Sequence, residues 1–90
     1  MKASDMTIIM CKIQSLNMHI EKDIERIKED IEYWEEQIKE FGEDETVSGN
    51  TYGEVLTISK EQLKYKLKEL QENYRLIDLL DDEVKNMYQV

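Results

Sequence analysis

Ninety residues with a net charge of −9, 37% charged side chains, three glycines, no proline and one cysteine bound the chain to one small unit made of long helices. The acidic balance excludes direct binding to nucleic acid or to an anionic membrane surface and favours a basic partner. The lone Cys11 excludes an internal disulfide framework and fits a reducing, cytoplasmic setting, while Lys12 and Gln14 break the longest apolar run well short of the roughly 18 residues a membrane span needs. Lys2 ahead of an apolar stretch has the look of a signal peptide, but Asp5 and the lack of a small-residue cleavage site argue against one. Ten lysines against two arginines, ten isoleucines and the single Ala3 point to an AT-rich coding genome, that of a low-GC bacterium or its phage.

The first helix is predicted over about residues 5–41. Ser4 or Asp5 stands where an N-cap is needed, with Ala3 and Ile8 as a small hydrophobic staple. Apolar residues then recur at 6, 9, 13, 16, 20, 24, 27, 31, 34, 38 and 41, the alternating threes and fours of a heptad seam. Two consecutive fours at Leu16–Ile20–Ile24 read as a stutter, which relaxes a left-handed supercoil. The stutter coincides with a change of character. Up to Ile20 the apolar side chains fall on several sides; from Glu21 onward they narrow to one seam among carboxylates. Gly42 after Phe41, with Lys39 in the last turn, marks the end.

Residues 42–58 form the tip. Thr46–Tyr52 holds two short β-prone runs around Gly49-Asn50, and a two-residue turn there sets Val47 across from Tyr52; the tip reads either as a tiny β-hairpin or as an unstructured connection. Glu54–Ile58 is also β-prone. Ser59-Lys60-Glu61-Gln62 has the form of a capping box, with Ile58 and Leu63 as its staple, so the second helix is predicted over about 59–88. Its seam is Leu63, Leu67, Leu70, Tyr74 and Ile77, and its apolar face broadens towards the end.

Folding back at the tip makes an all-α antiparallel two-helix hairpin, coiled-coil-like, in a single domain. Residues 21–45 hold twelve acids and four bases, and Lys60, Lys64, Lys66 and Lys68 lie on the segment that faces them. At the other end, one helix–helix interface cannot cover the apolar surface carried by Ile8, Met10, Met18, Leu76 and Leu79. A homodimer closing a four-helix bundle at the termini covers it; a different protein docking there is the rival reading.

The chemistry-bearing residue types assemble no reaction centre in the sequence. Cys11 sits among Ile9, Met10 and Ile13 and reads as a buried small hydrophobe. His19 with Asp23 one turn on lacks a second histidine for a zinc set, and Leu16 stands where a di-iron Glu-x-x-His motif needs its glutamate. The pairs Glu29/Glu32, Glu32/Glu35, Glu69/Glu72 and Asp78/Asp81 resemble the magnesium-binding carboxylate pairs of all-helical nucleotide pyrophosphohydrolases. The seam of Ile27, Ile31 and Trp34, however, places Glu29, Glu32 and Glu36 on or near the outer face. The size and topology resemble small helical-hairpin phosphatases of sporulation response regulators, whose Ser-x-x-x-Asp motif Ser59 matches; Leu63 replaces its aspartate. The helix–hairpin–helix outline is also similar to a prefoldin subunit.

The expectation is therefore a non-enzymatic, cofactor-free interaction module. In its sharper form it is an inhibitor or adaptor of phage or mobile-element type. It binds a basic, nucleic-acid-handling protein through an acidic arm, Glu29, Glu32, Glu36 and Glu40, and a tip, Val47 and Tyr52. A structural coiled-coil scaffold is the alternative, and a magnesium-dependent nucleotide hydrolase a remote one.

Overall fold

A computed structural model describes residues 1–88. The chain is a helical hairpin: α1 (Ala3–Phe41), a two-strand antiparallel ribbon of β1 (Thr46–Val47) and β2 (Asn50–Thr51), and α2 (Tyr52–Tyr88). It measures 66 × 18 × 15 Å, as two helices of nearly forty residues lying side by side require.

The seam is more regular than the apolar residues alone predict. In α1 the residues turned inward are Met6, Met10, Ile13, Asn17, Ile20, Ile24, Ile27, Ile31, Trp34 and Ile38, in an unbroken alternation of fours and threes. There is no stutter. The polar Asn17 takes the seam position, and Leu16 points outward, 57% exposed. In α2 the inward residues are Tyr52, Leu56, Ser59, Leu63, Lys66, Leu70, Asn73, Ile77, Leu80 and Val84, again unbroken. Lys66 and Asn73 occupy the places predicted for Leu67 and Tyr74, which lie outside and are exposed. Phe41, expected to end the first seam, is exposed as well, because α1 stops there.

The register is pinned by one side-chain pair. The Asn73 amide Nδ2 donates to Asn17 Oδ1 at 2.9 Å, and Asn17 is only 3% exposed. Counting outward in heptad steps sets Ile20 against Leu70, Ile24 against Lys66, Ile27 against Leu63 and Ile31 against Ser59. The best-buried apolar residues, Ile20, Ile24 and Ile27, lie just beyond this pair.

The helix ends differ from their predicted places. α1 begins at Ala3 behind an extended Lys2, so Ser4 and Asp5 lie inside its first turn and no side chain caps it. α2 begins seven residues before the predicted start. Thr51 is its cap: Thr51 Oγ1 accepts the backbone N–H of Glu54 at 3.1 Å, the threonine half of a box with Thr-x-x-Glu spacing. Ser59 is buried in mid-helix, and the β-prone Glu54–Ile58 is helical because Val55 and Leu56 find partners across the hairpin.

The tip accordingly shrinks to ten residues. Gly42 closes α1, its N–H donating to Ile38 O at 2.8 Å. The ribbon turns at Ser48-Gly49, both with positive φ (49° and 86°), as a two-residue hairpin turn demands. Val47 therefore pairs with Asn50, and Thr46 with Thr51, in place of the predicted Val47–Tyr52 pairing. Backbone bonds from Tyr52 N to Glu45 O (2.7 Å) and Gly53 N to Glu43 O (3.0 Å) tie the ribbon to the start of α2.

Candidate interaction site

The outer surface of α1 carries a row of carboxylates in its tip half. Glu25, Glu29, Glu32 and Glu36 follow one another at steps of four, three and four, so they stand on one ridge of the helix, all exposed. Lys22 and Lys39 bound the row, and Glu40 is exposed on the neighbouring side. Among the described residues none of these five glutamates is in an ion pair. Acids nearer the seam are treated differently: Asp23 meets Lys66 at 3.6 Å and Arg26 at 3.5 Å, and Glu35 meets Lys60 at 3.9 Å. Lys60 and Lys66 thus cross to α1 as the charge pattern predicts, while Lys64 and Lys68 stay in solvent.

The other expected contact residues are placed as follows. Val47 is half-buried in β1. Tyr52 opens α2 and packs its ring on Trp34, with centroids 5.2 Å apart; it belongs to the inside of the hairpin end, and the expectation of a projecting tip aromatic is corrected. Trp34 also meets Tyr33 edge-on at 5.0 Å. At the termini end Ile8, Met18, Leu76 and Leu79 are about half exposed or more, between 48% and 61%, whereas Met10 is a half-buried seam residue. Cys11, expected to be buried, is exposed, because the regular seam passes through Met10 and Ile13.

The remaining candidate chemistry is dispersed. His19 is exposed. In three of the four carboxylate pairs one member is held by a lysine: Glu35 by Lys60, Glu69 by Lys66 at 3.9 Å and Asp81 by Lys85 at 2.9 Å. Among the described residues no three His, Cys, Asp or Glu side chains converge to hold a metal ion, and no helix is long and apolar enough to cross a membrane.

Two titratable groups are displaced. The Tyr74 hydroxyl donates to Glu21 across the helices, and this bond, with some desolvation and the charge of Glu21, raises the phenol above its ordinary value. The hydrogen bond and charge of Asp81 raise Lys85. Both displacements belong to the hairpin's own contacts.

Sequence reasoning missed the polar layer. Asn17 and Asn73 share the seam's phase, and reading Asn17 as a seam member, with Met10 in place of Ile9, would have removed the apparent stutter. No family model, curated protein or solved structure significantly matches this chain.

Proposed function

We propose that the protein is a non-enzymatic interaction module whose acidic ridge binds the basic surface of a nucleic-acid-handling protein, in the manner of an inhibitor or adaptor encoded by a phage or mobile element. The ridge of Glu25, Glu29, Glu32 and Glu36 carries this reading. Four like charges at i, i+3 and i+4 spacing repel one another, costing on the order of 1 kcal/mol across three neighbouring pairs. Among the described residues none of the four is in an ion pair that would offset this repulsion, whereas a basic partner offsets it. The ridge runs roughly 16 Å along the axis. Its charge density is within a factor of two of one strand of duplex DNA, at about one charge per 3.4 Å.

The test is affinity capture from a low-GC bacterial lysate with the wild-type chain and a Glu29→Lys/Glu32→Lys/Glu36→Lys/Glu40→Lys variant. Wild type is expected to retain a basic protein that duplex DNA displaces and the variant does not hold. Equal capture by both chains ends the proposal.

A second reading, an oligomeric scaffold, is favoured by the exposure of Ile8, Met18, Leu76 and Leu79. Sedimentation separates the two. A stable oligomer whose ridge binds nothing basic fits the scaffold; a chain that captures a basic protein fits the module, whatever its own oligomeric state.

A further inference from the structure

The two flanks of the hairpin differ chemically. Glu21, which follows the seam residue Ile20, and Asp23, which precedes the seam residue Ile24, stand on opposite sides of the seam. Asp23 shares a groove with Arg26, Asp30, Gln62 and Tyr65; Glu21 shares another with Gln14, Met18 and Tyr74. Heptad steps from the first groove bring Leu16, Leu76 and Leu79 to the same flank as Tyr65 at the termini end, and Tyr33 and Ile58 towards the tip. All six are between 47% and 72% exposed. Its charges are mixed. Outermost on α1 stand Lys12, His19 and Arg26, between Asp5 and Glu40, and nearer the seam Asp23, paired with Lys66 and Arg26, and Asp30; α2 contributes Glu69, Glu72 and Glu83.

We propose that this flank is where a second copy of the chain docks, the two hairpins lying side by side with their tips pointing the same way. The inference rests on the self-association of the scaffold reading and names its surface. A two-fold axis along the hairpin's length places α1 of each copy over α2 of the other. Residues at equal height then meet. Leu16 faces Leu76, His19 of one copy approaches Glu72 of the other, Lys12 reaches towards Glu83 about 7 Å further along the axis, and Arg26 lies over Tyr65, with every contact made twice. Stacking α1 on α1 instead sets the basic row against itself. Area points the same way. A face about 66 Å long and 15–18 Å wide offers on the order of 1,000 Å², against ~800 Å² per partner in a standard interface. The termini end alone offers about half of that, so the contact runs on through Tyr65, Tyr33 and Ile58. The acidic ridge, on the outer side of α1, stays uncovered.

Sedimentation equilibrium of the full chain at ~0.15 M salt tests this, with helicity by circular dichroism as the folding control. Leu16→Glu/Leu79→Glu is expected to weaken the dimer about tenfold or more. Gln14→Glu/Leu67→Glu, on the opposite flank, is expected to leave it within about threefold. A Lys12→Glu/His19→Glu chain and a Glu72→Lys/Glu83→Lys chain should each dimerise poorly and, mixed, form the heterodimer preferentially. A monomeric wild type overturns the proposal together with self-association. A dimer that survives the first pair, whether or not the second breaks it, overturns this flank and leaves self-association standing. Absence of heterodimer preference overturns the stacking of α1 on α2.

Discussion

Asn17 and Asn73 are the two residues on which the pairing of the helices turns. One hydrogen bond joins them, and the Asn17 amide nitrogen is buried with no partner among the described residues. A buried donor left unpaired costs about 1–3 kcal/mol, so the pair is a poor stabiliser and a good discriminator. A slip of one heptad would set Asn17 against Leu80 and Asn73 against Ile24, burying both amides against hydrocarbon. Asn17→Leu alone should destabilise the hairpin by about 1–2 kcal/mol in urea unfolding, because it orphans Asn73. Asn17→Leu with Asn73→Leu should recover that loss or exceed the wild type, at the expense of a single register. A double variant less stable than the single one would contradict this account. Tyr74 gives a pH dependence of known sign. Its folded-state pKa lies above the ordinary phenol value of about 10, so its bond to Glu21 contributes fully below about pH 10 and is lost as pH rises through the folded value. Stability should fall in that alkaline window, and Tyr74→Phe should flatten the fall in thermal melts across pH.

At the scale of elements, the start of α2 shows how local signals compete. Two capping motifs lie eight residues apart, Thr51-x-x-Glu54 and Ser59-x-x-Gln62. The first wins because starting at Tyr52 adds two turns of helix. Those turns bury part of Val55 and Leu56 and set the Tyr52 ring against Trp34, and that outweighs the β propensity of the segment. Replacing Thr51 with Ala should cost about 1 kcal/mol and fray the first turn of α2. Replacing Ser59 with Ala should be neutral or slightly stabilising, since alanine is the better helix former in mid-helix. Hydrogen exchange at residues 52–58 and urea unfolding would show both, and a large loss from Ser59→Ala would return the helix start to residue 59.

For the molecule as a whole, the acidic ridge and the broadest exposed apolar flank lie on different sides. The acidic ridge costs stability and the broad flank exposes apolar side chains, and neither helps an isolated hairpin. Glu29→Lys with Glu32→Lys should therefore raise the thermal midpoint slightly, by a few tenths of a kcal/mol per relieved repulsion, while abolishing capture of a basic partner. A variant that melts lower would mean the ridge is held by contacts within the fold.

The sequence by itself determined the hairpin. Heptad spacing, the lack of proline and Gly42 at the end of α1 are local properties, and a helix with an apolar stripe must find another such stripe. The unpaired glutamates were legible too, since a seam places everything else on the outside. Only the tertiary structure decided which near-neighbour faced inward. Leu16 or Asn17, Leu67 or Lys66 and Tyr74 or Asn73 are one residue apart, and apolarity favours the wrong member each time. Pairing two helices rewards continuity of phase over the burial of any single side chain. A displaced leucine costs about 1.5–3 kcal/mol of burial, whereas a break in phase misaligns every layer beyond it. The same competition across the chain drew Tyr52 from the tip onto Trp34 and moved the start of α2. The tip's turn was set by which two residues, Ser48 and Gly49, took positive φ.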